Sequence, residues 1–262
     1  MNKTITTFIA VLFSITIYAQ PGTWKQLGKP GSWVNTLDAV EANGKLYTVE
    51  KSGAFYETDI TTGVWKQVGK PDYQNTKYMY ATNGMIYTIE TSGTLYAIAP
   101  STGVWKAVGT PGSWKGTIAG IADNGKLYTV ESSGALYETN LSTGVWKQIG
   151  KPEYANTAYI WAANSKLYTL EKSGTMYEIN PANGAWKQVG ASGAWKNTMN
   201  GVVANNMLYT VETTGALYET NLTTGTWKQI GKPDYQHTAF ITGESKLHTI
   251  ETSGTLYEIN IK

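Results

Sequence analysis

The stretch WKQVGKPDYQNTKYMYATNGMIYTIETSGTLY, residues 65–96, contains in order every device that the rest of the chain repeats. Its opening Trp recurs in GTWKQLG, GVWKQVG, GVWKAVG, GVWKQIG, GAWKQVG and GTWKQIG, with the ring at positions 24, 65, 105, 146, 186 and 227. The spacing alternates between 41 and 40 residues, and longer identities return every 81. GKLYTVE and GALYETN belong to odd copies, SGTLYAI, SGTMYEIN and SGTLYEIN to even ones. The array is three double repeats, so self-similarity has to be read before anything else.

Within one unit, four short segments have strand character. The Trp segment is followed by a loop, a variable run such as TKYMYAT, a period-2 run such as KLYTVE, an SG turn and ALYETN or its even form. Gly or Asn-Gly marks the junctions, and no segment has a capped 3.6-residue period. Four strands in about 40 residues, repeated, predict an all-β chain folded as a six-bladed β-propeller of four-stranded blades with threefold pseudo-symmetry. The repeats are offset by one strand: GTWKQLG at 22–28 precedes the first three-strand set, and GTLYEINIK at 254–262 lacks a Trp strand after it. The expectation is that the N-terminal strand completes the last blade, leaving no open sheet edge.

Composition narrows the function. Residues 1–19 read as a signal peptide cleaved after Ala19, and 20–262 as a single propeller domain, secreted or periplasmic. There is no Cys, so neither a disulfide framework nor a thiolate metal site is available. Formal charge is only +2, which argues against electrostatic capture of nucleic acid or of an anionic membrane, and the absence of a second hydrophobic span after residue 19 leads us to expect no membrane insertion. All 21 basic residues are Lys, so the bidentate donor that anionic ligands favour is missing. Trp and Tyr, 10 and 18, outnumber four Phe, a bias toward rings that carry a polar handle.

The recurring residues separate into structural and binding candidates. The Trp24 series and the Tyr56 series read as core between blades. Glu50, Glu90, Glu131, Glu171, Glu212 and Glu251 read as cross-strand or inter-blade partners of the Lys that follows each Trp. Asp38 is the one acid in two tiers of the variable strand, and His237 and His248, which break positions held mostly by Asn and by Tyr in the other copies, read as drift rather than as ligands. No nucleophile, metal-ligand or phosphate-loop motif is present, so the expectation is a non-enzyme with no catalytic residues, no metal and no cofactor.

The loop aromatics are the candidate site. Trp33, Trp114 and Trp195 occupy odd loops, and Tyr73, Tyr154 and Tyr235 even ones. Each Tyr follows an acid (Asp72, Glu153, Asp234), and Asn35, Asn75, Asn156 and Asn197 stand just beyond the ring. A flat ring beside a carboxylate and an amide suits a sugar, covering its C–H face and satisfying its hydroxyls. The alternative is that these rings only plug the seams, which gives no reason for the acid. The expected partners are therefore glycans or glycoconjugates, with a protein-docking scaffold as the alternative.

The order within residues 65–96 resembles the tectonin-type β-propeller lectins, whose units run Trp, short apolar strand, Gly, loop, aromatic strand, Gly turn and Ile/Leu-Tyr. The resemblance covers all six copies, with a weaker likeness to kelch blades through the YxxxxxTGxW step. The basic residue often found after the tectonin Tyr is Glu in five copies here. The resemblance implies an extracellular, multivalent recognition propeller with sites between blades.

Overall fold

The computed structural model describes residues 20–261. The signal-peptide assignment at 1–19 falls outside them. Among the described residues there are twenty-four strands and no helix. β1 is Trp24–Leu27. Blade 1 comprises β2 (Thr36–Ala42), β3 (Lys45–Glu50), β4 (Phe55–Asp59) and β5 (Trp65–Gln67). Blade 2 comprises β6 (Thr76–Thr82), β7 (Met85–Glu90), β8 (Leu95–Ile98) and β9 (Trp105–Val108). Blade 3 comprises β10 (Thr117–Asp123), β11 (Lys126–Glu131), β12 (Leu136–Asn140) and β13 (Trp146–Ile149). Blade 4 comprises β14 (Thr157–Ala163), β15 (Lys166–Glu171), β16 (Met176–Ile179) and β17 (Trp186–Val189). Blade 5 comprises β18 (Thr198–Ala204), β19 (Met207–Glu212), β20 (Leu217–Asn221) and β21 (Trp227–Ile230). Blade 6 comprises β22 (Thr238–Gly243), β23 (Leu247–Glu251) and β24 (Leu256–Ile259), completed by β1.

The six antiparallel sheets form the expected propeller, and ring closure follows the strand exchange anticipated from the repeat offset. β1 pairs with β24 over Trp24↔Ile259 to Leu27↔Leu256. Period 2 sends one set of side chains toward each neighbouring blade. In blade 1, Val49 and Phe55 pack with Tyr73, Ile86 and Ile98 of blade 2, while Leu46 and Ala39 pack with Leu256 and Ile250 of blade 6. The core is thus six separate seams. Burying Phe55, Leu46 or Ile86 in one of them contributes about 2 kcal/mol each.

Two local devices set the geometry that matters for the site. An Asn-Gly pair such as Asn43-Gly44, with φ of 53° and 67°, turns β2 into β3 as a hairpin whose twist matches the strands. In every inner strand the register shifts once, between Thr36 and Asp38 in blade 1 and at the equivalent step elsewhere. The extra residue rotates Thr36 to lie opposite Glu50.

The inner strands surround a channel of about 740 Å3. Its seams are clasped unequally. Tyr80 of blade 2 lies so close over Gly120 of blade 3 that a Cβ there would collide with the phenol. The Trp161 indole of blade 4 donates to the Gly201 carbonyl of blade 5 at 3.0 Å. At the sixth seam, where the ring closes, a polar clasp stands instead. Glu41 Oε1 of blade 1 accepts from Thr242 Oγ1 of blade 6 at 2.6 Å and sits 2.8 Å from His248 Nδ1. His248, read from sequence as drift, is a buried member of this clasp.

Asp38 is also a strap between blades. Oδ1 accepts from its neighbour Ala39 N at 2.8 Å, and Oδ2 from Met79 N of blade 2 at 2.7 Å. The equivalent residues do the same work: Tyr78 donates to Ile118 O, Tyr159 to Met199 O and Asn200 Nδ2 to Ala239 O. Burial raises the Asp38 pKa from 3.8 to about 7, against the lowering effect of the two amides. Because the folded value is the higher one, this carboxyl supports the fold below pH 4, and its support is lost as pH rises through 7. Asp38→Asn, which installs the side chain blade 5 already uses, should flatten that slope. Allowing for water in the channel, the expected gain at pH 8 is about 1–2 kcal/mol, or roughly 2–6 °C in Tm. An unchanged pH profile of thermal unfolding would refute it.

Candidate functional site

The outermost strands place their Trp rings on the surface. Far from being core, Trp24, Trp65, Trp105, Trp146, Trp186 and Trp227 remain 46–52% exposed. The β4–β5 register sets Thr58 opposite Trp65 and Tyr56 opposite Gln67, so Trp65 and Tyr56 share a face. They meet edge-on, with centroids 4.9 Å apart and planes at 83°, and the same T-shaped pair recurs in every blade. The edge contact fixes the indole while leaving it accessible to solvent. Leu27 of the same strand is buried on the opposite face, so it is the face of the outermost strand carrying Trp24, not the strand as a whole, that stays open, and there the expectation of burial fails.

The loop aromatics are the buried ones. Trp33, Tyr73, Trp114, Tyr154, Trp195 and Tyr235 are only 3–6% exposed, so none offers an open stacking face. Each is fixed through its amide to the turn of the preceding blade, as in Trp33 N to Gly254 O and Tyr73 N to Gly53 O, both 3.0 Å. The three Tyr hydroxyls each donate to a rim carbonyl, of Gly103, Gly184 and Gly22. The acids Asp72, Glu153 and Asp234 are exposed, and Glu153 Oε2 accepts from the Trp186 indole at 3.1 Å. This bracing accounts for an acid beside that ring. Asn35, Asn75, Asn156 and Asn197 act through their backbone: each carbonyl accepts the amide of the residue after the recurring Glu. Gly116 and His237 do so equally well in blades 3 and 6.

The Glu pairing differs from the sequence reading as well. Lys66, Lys147, Lys187 and Lys228, which follow their Trp, pair with Glu57, Glu138, Glu178 and Glu219 of the adjacent strand. The Glu50 series faces inward instead. Glu50, Glu131 and Glu212 accept from Thr36, Thr117 and Thr198 at 3.1, 2.7 and 3.0 Å. Burial pushes all three carboxyl pKa values up, while the Thr hydroxyl opposes the rise.

These residues converge in blades 1 and 3. On the face of blade 1 turned toward blade 6, a cavity of about 490 Å3 is walled by Trp65 and Tyr56 and floored by Thr48, Glu50 and the edge of Trp33. Blade 3 repeats it at about 240 Å3, with Trp146, Tyr137, Thr129, Glu131 and Trp114. An exposed indole, a carboxylate and hydroxyls around a space of this size can cover a flat apolar face and hydrogen-bond its polar rim. The sequence expectation found Trp33, Trp114 and Asn35, which line these cavities, but assigned the outer Trp, Tyr and Glu to structure. The sequence does mark the difference. Odd copies carry Thr58, Thr139 or Thr220 where even ones carry the fully buried Ile98, Ile179 or Ile259.

Among the described residues, no group of three or more His, Asp or Glu is placed to hold a metal ion. No protein-family model matches the chain, and no curated protein matches it. Solved structures do. A protein of unknown function from Bacteroides thetaiotaomicron superposes with a TM-score of 0.67 at 14% identity, covering 94% of this chain and 77% of that one. YCF48 bound to D1 peptide gives 0.60 at 15%, covering 87% and 78%. The computationally designed Ika8 protein gives 0.57 at 11%, covering 86% and 71%. At these identities the likeness concerns the propeller fold.

Proposed function

We propose that the chain is an exported, non-enzymatic carbohydrate-binding propeller, of the kind the tectonin resemblance implies, whose sites lie at the outer Trp–Tyr pairs. The observation that carries this reading is the fixed, half-exposed indole of Trp65 standing over the buried Glu50 and Thr48. A pyranose laid on such a ring buries its C–H face, and its hydroxyls reach a carboxylate that can only accept. Repetition around the disc turns weak single sites into avidity on a surface displaying many glycans.

A glycan-array screen of residues 20–262 tests this, repeated after Trp65, Trp146 and Trp227 are all changed to Ala. Bound spots should lose at least tenfold in signal in the triple variant. An array left dark by the parent, or equally bright for both proteins, overturns the reading.

One observation favours a protein-docking scaffold as the second reading. Val64, Val104 and Val145 are 68–70% exposed beside three successive outer Trp residues, on one half of the rim. A peptide or protein partner would depend on those three residues, whereas a sugar would not. Binding abolished by changing all three Val to Ser would reverse the order of the two readings.

A further inference from the structure

We infer that the three odd blades alone form ligand sites, and that each takes a neutral sugar whose hydroxyl is read by Thr48, Thr129 or Thr210 together with the Glu two residues on. This rests on the carbohydrate reading above and specifies its ligand class, its number of sites and the residues that select.

The first observation is an unfilled hydrogen-bonding capacity. Thr48 and Thr210 are 0% exposed, yet their hydroxyls have no partner. Leaving such a group unpaired in a fold costs about 1–3 kcal/mol, which a hydroxyl brought to it would offset. Thr129 is equally buried and leans toward Glu131, with which it lines the blade 3 cavity. In each case Thr and Glu alternate on one face of the same strand, separated by a single residue pointing the other way. A sugar hydroxyl placed between them can donate to the carboxylate and accept from the Thr, a polarised chain that neither residue makes without it.

The second observation is a change of side chains in the even blades. There Tyr73, Tyr154 and Tyr235 spend their hydroxyls on rim glycine carbonyls, and Ile98, Ile179 and Ile259 stand where odd blades carry Thr58, Thr139 and Thr220. In blade 5 that Thr, Thr220, is the acceptor nearest the Trp195 indole, at 3.5 Å. Loop ring and strand residue therefore change together, Trp with Thr in odd blades and Tyr with Ile in even ones.

The third observation sets the charge of the ligand. The buried ionisable group in the cavity is an acid, and the cation beside it, Lys51, is exposed. An anionic sugar would set its carboxylate or sulfate against Glu50, and no Arg exists anywhere in the chain to offset it.

The experiment uses methyl glycosides of glucose, galactose, mannose and fucose, with glucuronate and sialic acid as acidic probes. They are followed by saturation-transfer NMR and by isothermal titration of residues 20–262. At least one neutral glycoside should bind with three sites per chain, and neither acid should compete with it. Thr48→Val, Thr129→Val and Thr210→Val combined should weaken it at least tenfold while Tm holds or rises, because an unpartnered buried hydroxyl has been removed. Thr88→Val, Thr169→Val and Thr249→Val in the even blades should leave affinity unchanged. Six sites, preference for an acidic probe, or affinity lost only with the even-blade set overturns this inference while leaving carbohydrate binding standing. Absence of binding by any of the six probes, together with a dark array, overturns both.

Discussion

A chain lacking residues 20–28 is expected not to fold. Without β1, Leu27 leaves the seam it shares with Leu256 and Ile250, and Trp24 no longer covers Tyr257. The four-residue ladder to β24 is lost, and with it the Tyr235 hydroxyl bond to Gly22. One buried Leu at about 2 kcal/mol and four or more hydrogen bonds at about 1 kcal/mol each come to roughly 6 kcal/mol, comparable with the whole stability of an ordinary domain. The bared edge of β24 would also pair with other chains. Circular dichroism and size exclusion should show aggregated or unfolded protein. The decisive control moves β1 rather than deleting it: a circular permutant beginning at Lys29, with residues 20–28 joined after β24 by a short linker, keeps every contact. Gly22 N already donates to Asn260 O at 2.7 Å, so the join is short. The permutant should match the parent in Tm, and a truncated chain that melts like the parent would refute the role given to β1.

Glu41→Ala is the second large effect expected. The Glu41 carboxylate is the common partner of Thr242 and His248 across the closing seam, and both side chains of the Glu41–His248 pair are at most 5% exposed. Removing it leaves a buried imidazole and a buried hydroxyl without their shared acceptor, worth about 2–4 kcal/mol, or some 5–15 °C in Tm. Glu41→Gln retains an acceptor oxygen and should recover most of the loss. At the other even-to-odd seams the same tier is held by Tyr80 on Gly120 and Trp161 on Gly201, so hydrogen exchange should rise first in β2, β22 and β23. Protection lost evenly around the ring would contradict a localised clasp.

The legible part of this fold was whatever repeats. Blade number, strand count and closure followed from the spacing of six Trp residues and from a Trp strand without a preceding partner. What misled was the meaning of recurrence. Trp65 and Trp33 are both large rings that return in register, yet one is half exposed and the other nearly buried. Their difference is radial: the outer strand has no further strand to cover it, whereas the loop into the inner strand lies under the preceding blade's turn. Sequence period carries no information on distance from the axis. The Thr36–Glu50 contact was equally hidden, because it depends on a one-residue bulge that leaves no mark in the polar and apolar pattern. The change of Thr58 to Ile98 in step with Trp33 and Tyr73 was visible and informative, since covarying positions in alternating copies report a shared space.

At the perimeter, the glycine before each outer strand rests on the glycine that ends the outer strand of the preceding blade. A Cβ on Gly22, Gly63, Gly103, Gly144, Gly184 or Gly225 would come within 3.0 Å of its partner's backbone. Six such knuckles, all with left-handed φ, make the angular step between neighbours a fixed quantity rather than an adjustable one. A perimeter fastened in this way has no hinge between blades, so the six outer Trp rings stand at set intervals around one disc and can meet a repetitive surface together.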